Sequence, residues 1–300
     1  MANPLYDRLF GAHAGKDTPF LHLPDGTVLT HSAFLAKVAQ IAHAMTALGL
    51  KPGDRVAAQI AKSPEALALY GACVQAGLVF LPLNTAYTVD ELTYFIDNSG
   101  AALIVCDAKS EATLAPVAAK LGAQVVTLNA DGSGSLSDRA AGQPESFDTV
   151  ARSDEDLAAF LYTSGTTGRS KGAMLTQANL LSNAVTLTQY WRFTDADILL
   201  HALPIFHTHG LFVASNVTLL AGGAMIFLPK FDLDDMIAWM PKATAMMGVP
   251  TFYTRLLDDA RFTGELTKHM RLFISGSAPL LAETHVQFET RTGHRILERY

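Results

Sequence analysis

Cysteine is nearly missing from this chain. Cys73 and Cys106 are the only two among 300 residues, and each stands inside an apolar segment, so a disulfide-stapled scaffold is excluded and two reduced, buried thiols are expected. Neither lies at ligand spacing from a histidine or another cysteine, which leaves no sequence signature for a protein-held metal. Basic runs are missing too. Lysine and arginine number 22 against 28 acidic residues, a formal net charge of −6, so the electrostatic footprint of a nucleic-acid or anionic-membrane binder is absent. Met1 to Phe10 carries Asp7 and Arg8 without an apolar core, and no secretory signal is expected. Apolar runs of membrane length are interrupted: Ala66 to Leu83 by Gly71, Gln75, Gly77 and Pro82, and Ile198 to Pro229 by Pro204, His201, His207, His209, Asn216 and Gly222-Gly223. With 49% hydrophobic and 17% charged residues, the expectation is a well-packed cytoplasmic protein with no membrane or nucleic-acid partner.

What is there is concentrated in Tyr162-Thr163-Ser164-Gly165-Thr166-Thr167-Gly168-Arg169-Ser170-Lys171-Gly172. Five serine and threonine hydroxyls, three glycines and a lysine fall within eleven residues. Glycines let backbone N–H groups approach an anion, hydroxyls donate to phosphate oxygens, and the ammonium supplies charge. The spacing is not that of a Walker loop, in which the lysine follows a glycine directly. A flexible linker of the same composition would not sit between the apolar run Leu157 to Leu161 and Ala173-Met174-Leu175. Phosphate binding is the reading.

Two parts of the chain repeat one unit. A buried helix ends at Ala76-Gly77 and leads into the strand Leu78 to Pro82, and another ends at Ala221-Gly222 and leads into Met225 to Pro229. Ser63-Pro64-Glu65 reads as an N-cap, a first-turn proline and a dipole-favoured acid opening the first of these helices. Short apolar runs at Val56 to Ile60, Leu103 to Cys106 and Val125 to Leu128 add strands of the kind found in parallel sheets covered on both faces. The fold class expected is α/β, with two doubly wound subdomains. Asn129 to Asp148, rich in Gly, Ser, Asp and Pro, is the expected connection, giving domains 1–150 and 151–300.

The loop resembles the signature of the adenylate-forming superfamily of acyl-CoA synthetases, luciferases and peptide-synthetase adenylation domains, with Ser170 where the family usually has proline. Three further segments extend the resemblance over nearly the whole chain. Pro204-Ile205-Phe206-His207-Thr208-His209-Gly210 is similar to the family's Pro-x-Phe-His-x-x-Gly segment along the carboxylate pocket, which makes His207 a site residue. Gly276-Ser277-Ala278-Pro279-Leu280 resembles the Gly-x-Ala-Pro-Leu element that passes along adenine and the acyl site. Glu298-Arg299-Tyr300 matches the lead-in to a motif whose tyrosine packs on adenine. The resemblance implies two stacked α/β subdomains with a small barrel beside them. It also implies ATP, Mg²⁺ and CoA, with Thr163, Lys171 and His207 in catalysis and Thr163, Ser164, Gly165, Thr166, Thr167, Gly168, Lys171, Gly276, Ser277, Ala278, Pro279, Glu298, Arg299 and Tyr300 along the nucleotide. The family's ribose-binding aspartate, hinge and lysine-bearing C-terminal domain would lie beyond residue 300, so the chain is expected to be the large N-terminal domain.

For the acid, Gly248 to Arg255 is informative. Pro250 marks a helix start, placing Arg255 about one turn in. The string resembles malonyl-CoA synthetases, in which an arginine here and a serine in the Ser-Ala-Pro turn hold a second carboxylate. His209, Arg255 and Ser277 would share that role, since a guanidinium grips a carboxylate through two parallel bonds. A neutral acyl chain would leave a buried arginine unpaired. The expected substrate is a small dicarboxylate, malonate or a 2-methyl derivative. A ligase for monocarboxylic acyl or aryl groups, with Arg255 on the surface, and a non-catalytic nucleotide-binding or interaction module stay open.

Overall fold

The computed structural model describes residues 2–163 and 170–299. The chain divides into two compact units, Met1–Lys16 with His31–Asn183 and Asp17–Thr30 with Ala184–Tyr300. The hairpin β1 (Pro19–His22) and β2 (Val28–Thr30) is the N-terminal contribution to the second unit.

The first unit carries β3 (Arg55–Gln59), β4 (Val79–Pro82), β5 (Ala101–Cys106), β6 (Gln124–Thr127), β7 (Leu157–Thr163) and β8 (Lys171–Thr176), in the order β6-β5-β3-β4-β7-β8. All neighbours are parallel except β7 and β8. The helix Pro64–Gln75 starts as its sequence dictates: the Ser63 hydroxyl accepts from the Ala66 N–H, and Pro64 occupies the first turn. Every residue from Ala66 to Gln75 is buried. A helix apolar on all sides belongs inside a domain, and this one runs through a turn at Gly77 into β4. Cys73 and Cys106 are both free and buried, and burial pushes the Cys106 thiol up to about 12.

The boundary expected near residue 150 is displaced. The Gly/Ser-rich stretch is not an open linker: it holds the helix Ser135–Ala140, with Leu136 fully buried. Beyond that helix the backbone is tied down by side chains of neighbouring helices. Gln40 Nε2 donates to the Gln143 carbonyl (3.2 Å), His43 Nε2 to Ser146 (2.8 Å) and Gln75 Nε2 to Phe147 (3.1 Å). The next strand, β7, then pairs with β4. Residues 151–183 therefore complete the first unit.

The second unit carries β9 (Ile198–His201), β10 (Ala224–Phe227), β11 (Ala245–Gly248), β12 (Leu272–Gly276) and β13 (Ile296–Arg299), which with the hairpin give the order β13-β12-β11-β9-β10-β1-β2. Only β1 and β2 are antiparallel. The repeat holds in space: β3 leads through a buried helix to its parallel neighbour β4, and β9 does the same to β10. After β10 the chain crosses to the other side of β9 to build β11, β12 and β13. This reversal makes the gap between β9 and β11 a topological switch point, and open α/β sheets bind ligands at the carboxyl ends of strands at that point.

At the opposite, amino ends of these strands lies a bidentate ion pair. Arg271 Nε and Nη2 donate to the two carboxylate oxygens of Asp197, both at 2.6 Å. The Thr194 N–H and the Thr244 hydroxyl also donate to this carboxylate, each at 2.8 Å. Asp197 is 4% exposed. Its burial works to raise the carboxyl pKa, but the Arg271 fork and the two further donors win and hold it below the ordinary carboxylate value. Among the described residues, no helix is long and apolar enough to cross a membrane.

Candidate active site

In the first unit the stem of the hydroxyl-rich loop is the antiparallel pair β7 and β8, with Thr163 opposite Lys171. Both side chains are exposed at the end of the pair. Ser164, Gly165, Thr166, Thr167 and Gly168 lie outside the described residues. Three features brace the stem. The Tyr94 hydroxyl donates to the Ser170 carbonyl (2.9 Å), and the Tyr162 hydroxyl donates to Asn98 Oδ1 (2.7 Å) on the helix Val89–Ser99. Gly172 takes the place of any larger residue because the Phe160 ring lies on its Cα, where a Cβ would collide with ring atoms Cε1 and Cδ1. The last glycine of the motif is thus steric, a close approach of an aromatic ring rather than a turn.

In the second unit, the segments after β9, β11 and β12 converge at the switch point. Leu203, Pro204, His207, Thr208, His209 and Gly210 from the first, Val249 from the second and Ser277 from the third enclose a cavity of about 430 Å³. That is within the range of small-molecule sites. The wall after β9 is fixed by Gly210, at which a Cβ would drive into the Pro204 carbonyl. The chain continues as a π-helical stretch, His209–Ser215, and then as the helix Asn216–Ala221. Single π turns are uncommon and gather at functional sites.

His209 is 5% exposed. Its Nδ1 lies 3.3 Å from the Ser277 hydroxyl, while its Nε2 is buried without a hydrogen-bond partner among the described residues. A buried nitrogen costs free energy for as long as it stays unpaired. Ser277 adopts φ of 71°, an uncommon left-handed conformation for a residue other than glycine. Beside it, Gly276 packs so tightly that a Cβ would come within 2.8 Å of the Arg299 carbonyl and 3.0 Å of His209 Cε1. Desolvation, and then the charge of Arg299, push the His209 pKa down to about 4, and desolvation also lowers that of His207. Both imidazoles are therefore neutral near pH 7 and can donate or accept without adding charge.

The His209 shift has a consequence for stability. The unfolded chain takes up a proton on this histidine near its ordinary value of 6.5, and the folded chain only near 4. The native state thus has its full advantage above pH 6.5 and loses it progressively as pH falls toward 4. We expect about 3 kcal/mol of stability to disappear over that window, and an appreciable part of the loss to vanish in His209→Asn, as read by urea unfolding at stepped pH.

The remaining site residues divide. Ala278 and Pro279 continue the turn from Ser277. Glu298 Oε1 accepts from the Leu280 N–H (3.0 Å), and Oε2 faces His285 Nε2 at 3.3 Å, so this carboxylate holds the turn in place and its pKa is lowered by those donors. Gly276 pairs with Arg299 across β12 and β13, and desolvation lowers the Arg299 pKa. Tyr300 lies outside the described residues. Pro250 does begin a helix, Pro250–Leu257, which is pinned under β12 by a hydrogen bond from the buried Tyr253 hydroxyl to the Ile274 carbonyl. Arg255 is not buried, contrary to expectation. It is exposed on that helix with its guanidinium 4.3 Å from the centre of the Phe231 ring, and it is not among the residues lining the cavity. The cavity brings His207, His209 and Ser277 together and leaves Arg255 outside. Thr208 and Val249 are lining residues that no sequence signal distinguished from their motif neighbours.

The chain matches the AMP-binding enzyme family over residues 11–300. It is 33% identical over 260 residues to a feruloyl-CoA synthase of Amycolatopsis sp, covering 86% of this chain and 51% of that protein. It is 33% identical over 249 residues to a malonate–CoA ligase of Arabidopsis thaliana, covering 75% and 40%. The ATP-bound crystal structure of MatB from Rhodopseudomonas palustris superimposes with a TM-score of 0.97 at 57% identity, covering 99% of this chain and 59% of that one. The chain thus spans about half the length of the curated relatives it matches. It belongs to the AMP-binding enzyme family.

Proposed function

We propose that the protein to which this chain belongs activates malonate, or a 2-methyl derivative, with ATP and passes the acyl group to CoA. A carboxylate oxygen attacks the α-phosphorus of ATP, the bond to the bridging oxygen breaks and pyrophosphate leaves. The thiol sulfur of CoA then attacks the acyl carbon and AMP departs. The first step joins two anions, so its barrier falls with fixed positive charge and N–H donors aimed at the phosphate. Lys171 and Thr163, at the mouth of the braced stem, are proposed for that role, together with Ser164, Gly165, Thr166, Thr167 and Gly168. Gly276, Ser277, Ala278, Pro279, Glu298, Arg299 and Tyr300 are proposed along the nucleotide. His207 is proposed to bond the reacting carboxylate.

Mg²⁺ fits as a companion of ATP rather than as a caged ion. No group of three or more His, Cys, Asp or Glu side chains able to hold a metal occurs among the described residues. This ion is commonly held by one or two carboxylates and substrate phosphates, and Glu298 is the acidic side chain on offer beside the turn. Bound there, it would supply charge neutralisation between phosphate oxygens.

The observation that carries the malonate reading is the polar end of the cavity. His209 Nε2 lacks a partner and the Ser277 hydroxyl stands 3.3 Å from Nδ1 of the same ring. A second carboxylate would give Nε2 a partner and the serine a further acceptor, whereas a purely apolar acyl chain would leave Nε2 unpaired. The 57% likeness to MatB and the 33% likeness to malonate–CoA ligases add support. Arg255 is proposed to complete the carboxylate site by leaving its ring stack. An exposed cation–π contact is worth about 0.5–1 kcal/mol, against roughly 1.5–3 kcal/mol for a hydrogen bond to a charged group.

A second reading has its own observation. Arg255 outside the cavity suits a monocarboxylate, and feruloyl-CoA synthases match as well as malonate ligases do. Substrate-dependent pyrophosphate release by the whole protein separates the two. On the malonate reading Arg255→Ala loses about 10- to 100-fold in kcat/KM for malonate and little for propionate. Unchanged malonate activity in that variant, or faster turnover of an aryl acid by the parent, would overturn it.

A further inference from the structure

His201 takes no part in any motif, yet it is fully buried at the carboxyl end of β9, beside the switch point. Its Nε2 lies 2.9 Å from the Gly210 carbonyl and 3.2 Å from the Ser215 hydroxyl, which itself donates to the same carbonyl at 2.9 Å. A carbonyl can only accept, so Nε2 must carry the proton. The clasp therefore fixes one tautomer of His201 and closes two side-chain donors on one backbone oxygen. From its other side the Gly210 Cα is seated against the Pro204 carbonyl. Gly210, the residue that follows His209, is thus held at its carbonyl and at its Cα.

We propose that His201 and Ser215 are positioning residues that hold the stretch His209–Ser215 in its π form and thereby aim His209 at Ser277. The stretch begins with an α-type bond from the Leu211 N–H to the His207 carbonyl and ends with the Asn216 N–H shared between the Leu211 carbonyl, a π-type bond, and the Val213 carbonyl. One extra residue is thus accommodated between the cavity wall and the helix Asn216–Ala221. An α-helix turns about 100° and rises about 1.5 Å per residue, so relaxation of the π turn to α form would swing everything before it by about that angle relative to the following helix. His209, the first residue of the stretch, would leave Ser277. Because a π turn is intrinsically rare, something must favour it here, and the doubly capped Gly210 carbonyl is the local feature that does so.

The ligand part of the test rests on the malonate reading, but the helix register can be read without any ligand. His201→Leu removes the clasp, His201→Gln restores an N–H donor near the Nε2 position, and Ser215→Ala removes one arm with little change of volume. Crystal structures of the variants report the acceptor of the Asn216 N–H, and calorimetry reports the affinity ratio of non-hydrolysable malonyl- and propionyl-adenylate analogues. We expect His201→Leu to move that hydrogen bond from Leu211 to Phe212 and to lower the affinity ratio by about tenfold or more, with His201→Gln recovering most of it. A purely structural role would lower Tm and weaken both analogues alike, leaving their ratio unchanged, and would overturn the proposal. So would a folded His201→Leu protein that keeps the π register. If His201→Leu does not fold, Ser215→Ala is judged by the same two criteria. If the parent prefers neither analogue, the malonate reading fails while the clasp stands or falls on the register alone.

Discussion

Gly210→Ala should cripple ligand binding while leaving most of the protein folded. The new methyl group has nowhere to go, because it meets a backbone carbonyl, that of Pro204, rather than the end of a flexible side chain. Either the segment Leu203–Gly210 moves outward or the π turn shifts along its axis, and both displace His207 and His209 from the cavity they line. Overpacking of this kind costs about 1–3 kcal/mol, and a displacement near 1 Å in a binding site can cost on the order of a hundredfold. We therefore expect acyl-adenylate analogues to bind about a hundredfold more weakly to Gly210→Ala, with a modest fall in the urea midpoint. The matching change at another glycine provides the control. Gly122→Ala lies at an αL helix end with open space around it, so it should lose stability through backbone strain alone and leave analogue binding intact.

Arg271→Met should produce the largest loss of stability of any single surface-reaching substitution in the second unit. It strips both guanidinium bonds from the buried Asp197 carboxylate, which then keeps the Thr194 N–H and the Thr194 and Thr244 hydroxyls. Breaking one side of such a pair costs about 3–5 kcal/mol, because a charge remains buried without its counterion. Arg271 also donates to the Trp191 and Arg192 carbonyls, so the loop before β9 should loosen as well. Neutralising the stranded acid tests the cause. Asp197→Asn in the Arg271→Met background should recover part of the loss, whereas the same change alone should be destabilising. The pH dependence has a definite sign. Since the folded pKa of Asp197 is depressed, its contribution is complete above the ordinary carboxylate value near 3.8 and disappears as pH falls through the lower folded value.

Much of this architecture is legible locally. The N-cap at Ser63, the helix start at Pro250 and the strands around the two helix-to-strand repeats follow from capping chemistry and apolar runs, which act over a few residues. The pocket histidines and Ser277 are legible from their motifs. Other features depend on which distant segments meet. The hairpin Pro19–Thr30 joins the second sheet beside β10, and nothing in its seven strand residues specifies a neighbour some 200 positions away. The Gly/Ser-rich stretch resembles a linker because composition reports turn chemistry, but the buried Leu136 and Ala140 and three side-chain-to-backbone bonds anchor it. The exposure of Arg255 is not legible, because a place one turn into a helix fixes its position along the axis and not its exposure. The glycine-rich loop points to an anion beside Gly172, whereas the structure shows Gly172 leaving room for a ring and Gly210 for a carbonyl. His201 carried no signal at all, because its partners Gly210 and Ser215 become neighbours only through the π turn.

On the malonate proposal, the cavity at the β9/β11 switch point has a polar end that takes a second carboxylate. Calorimetric titration of the chain with a non-hydrolysable malonyl-adenylate analogue and with its propionyl counterpart tests it directly, since the two differ only at that end. The account predicts tighter binding of the malonyl compound by about tenfold or more, with the difference lost in Ser277→Ala. Equal affinity for the two analogues in the parent would contradict it.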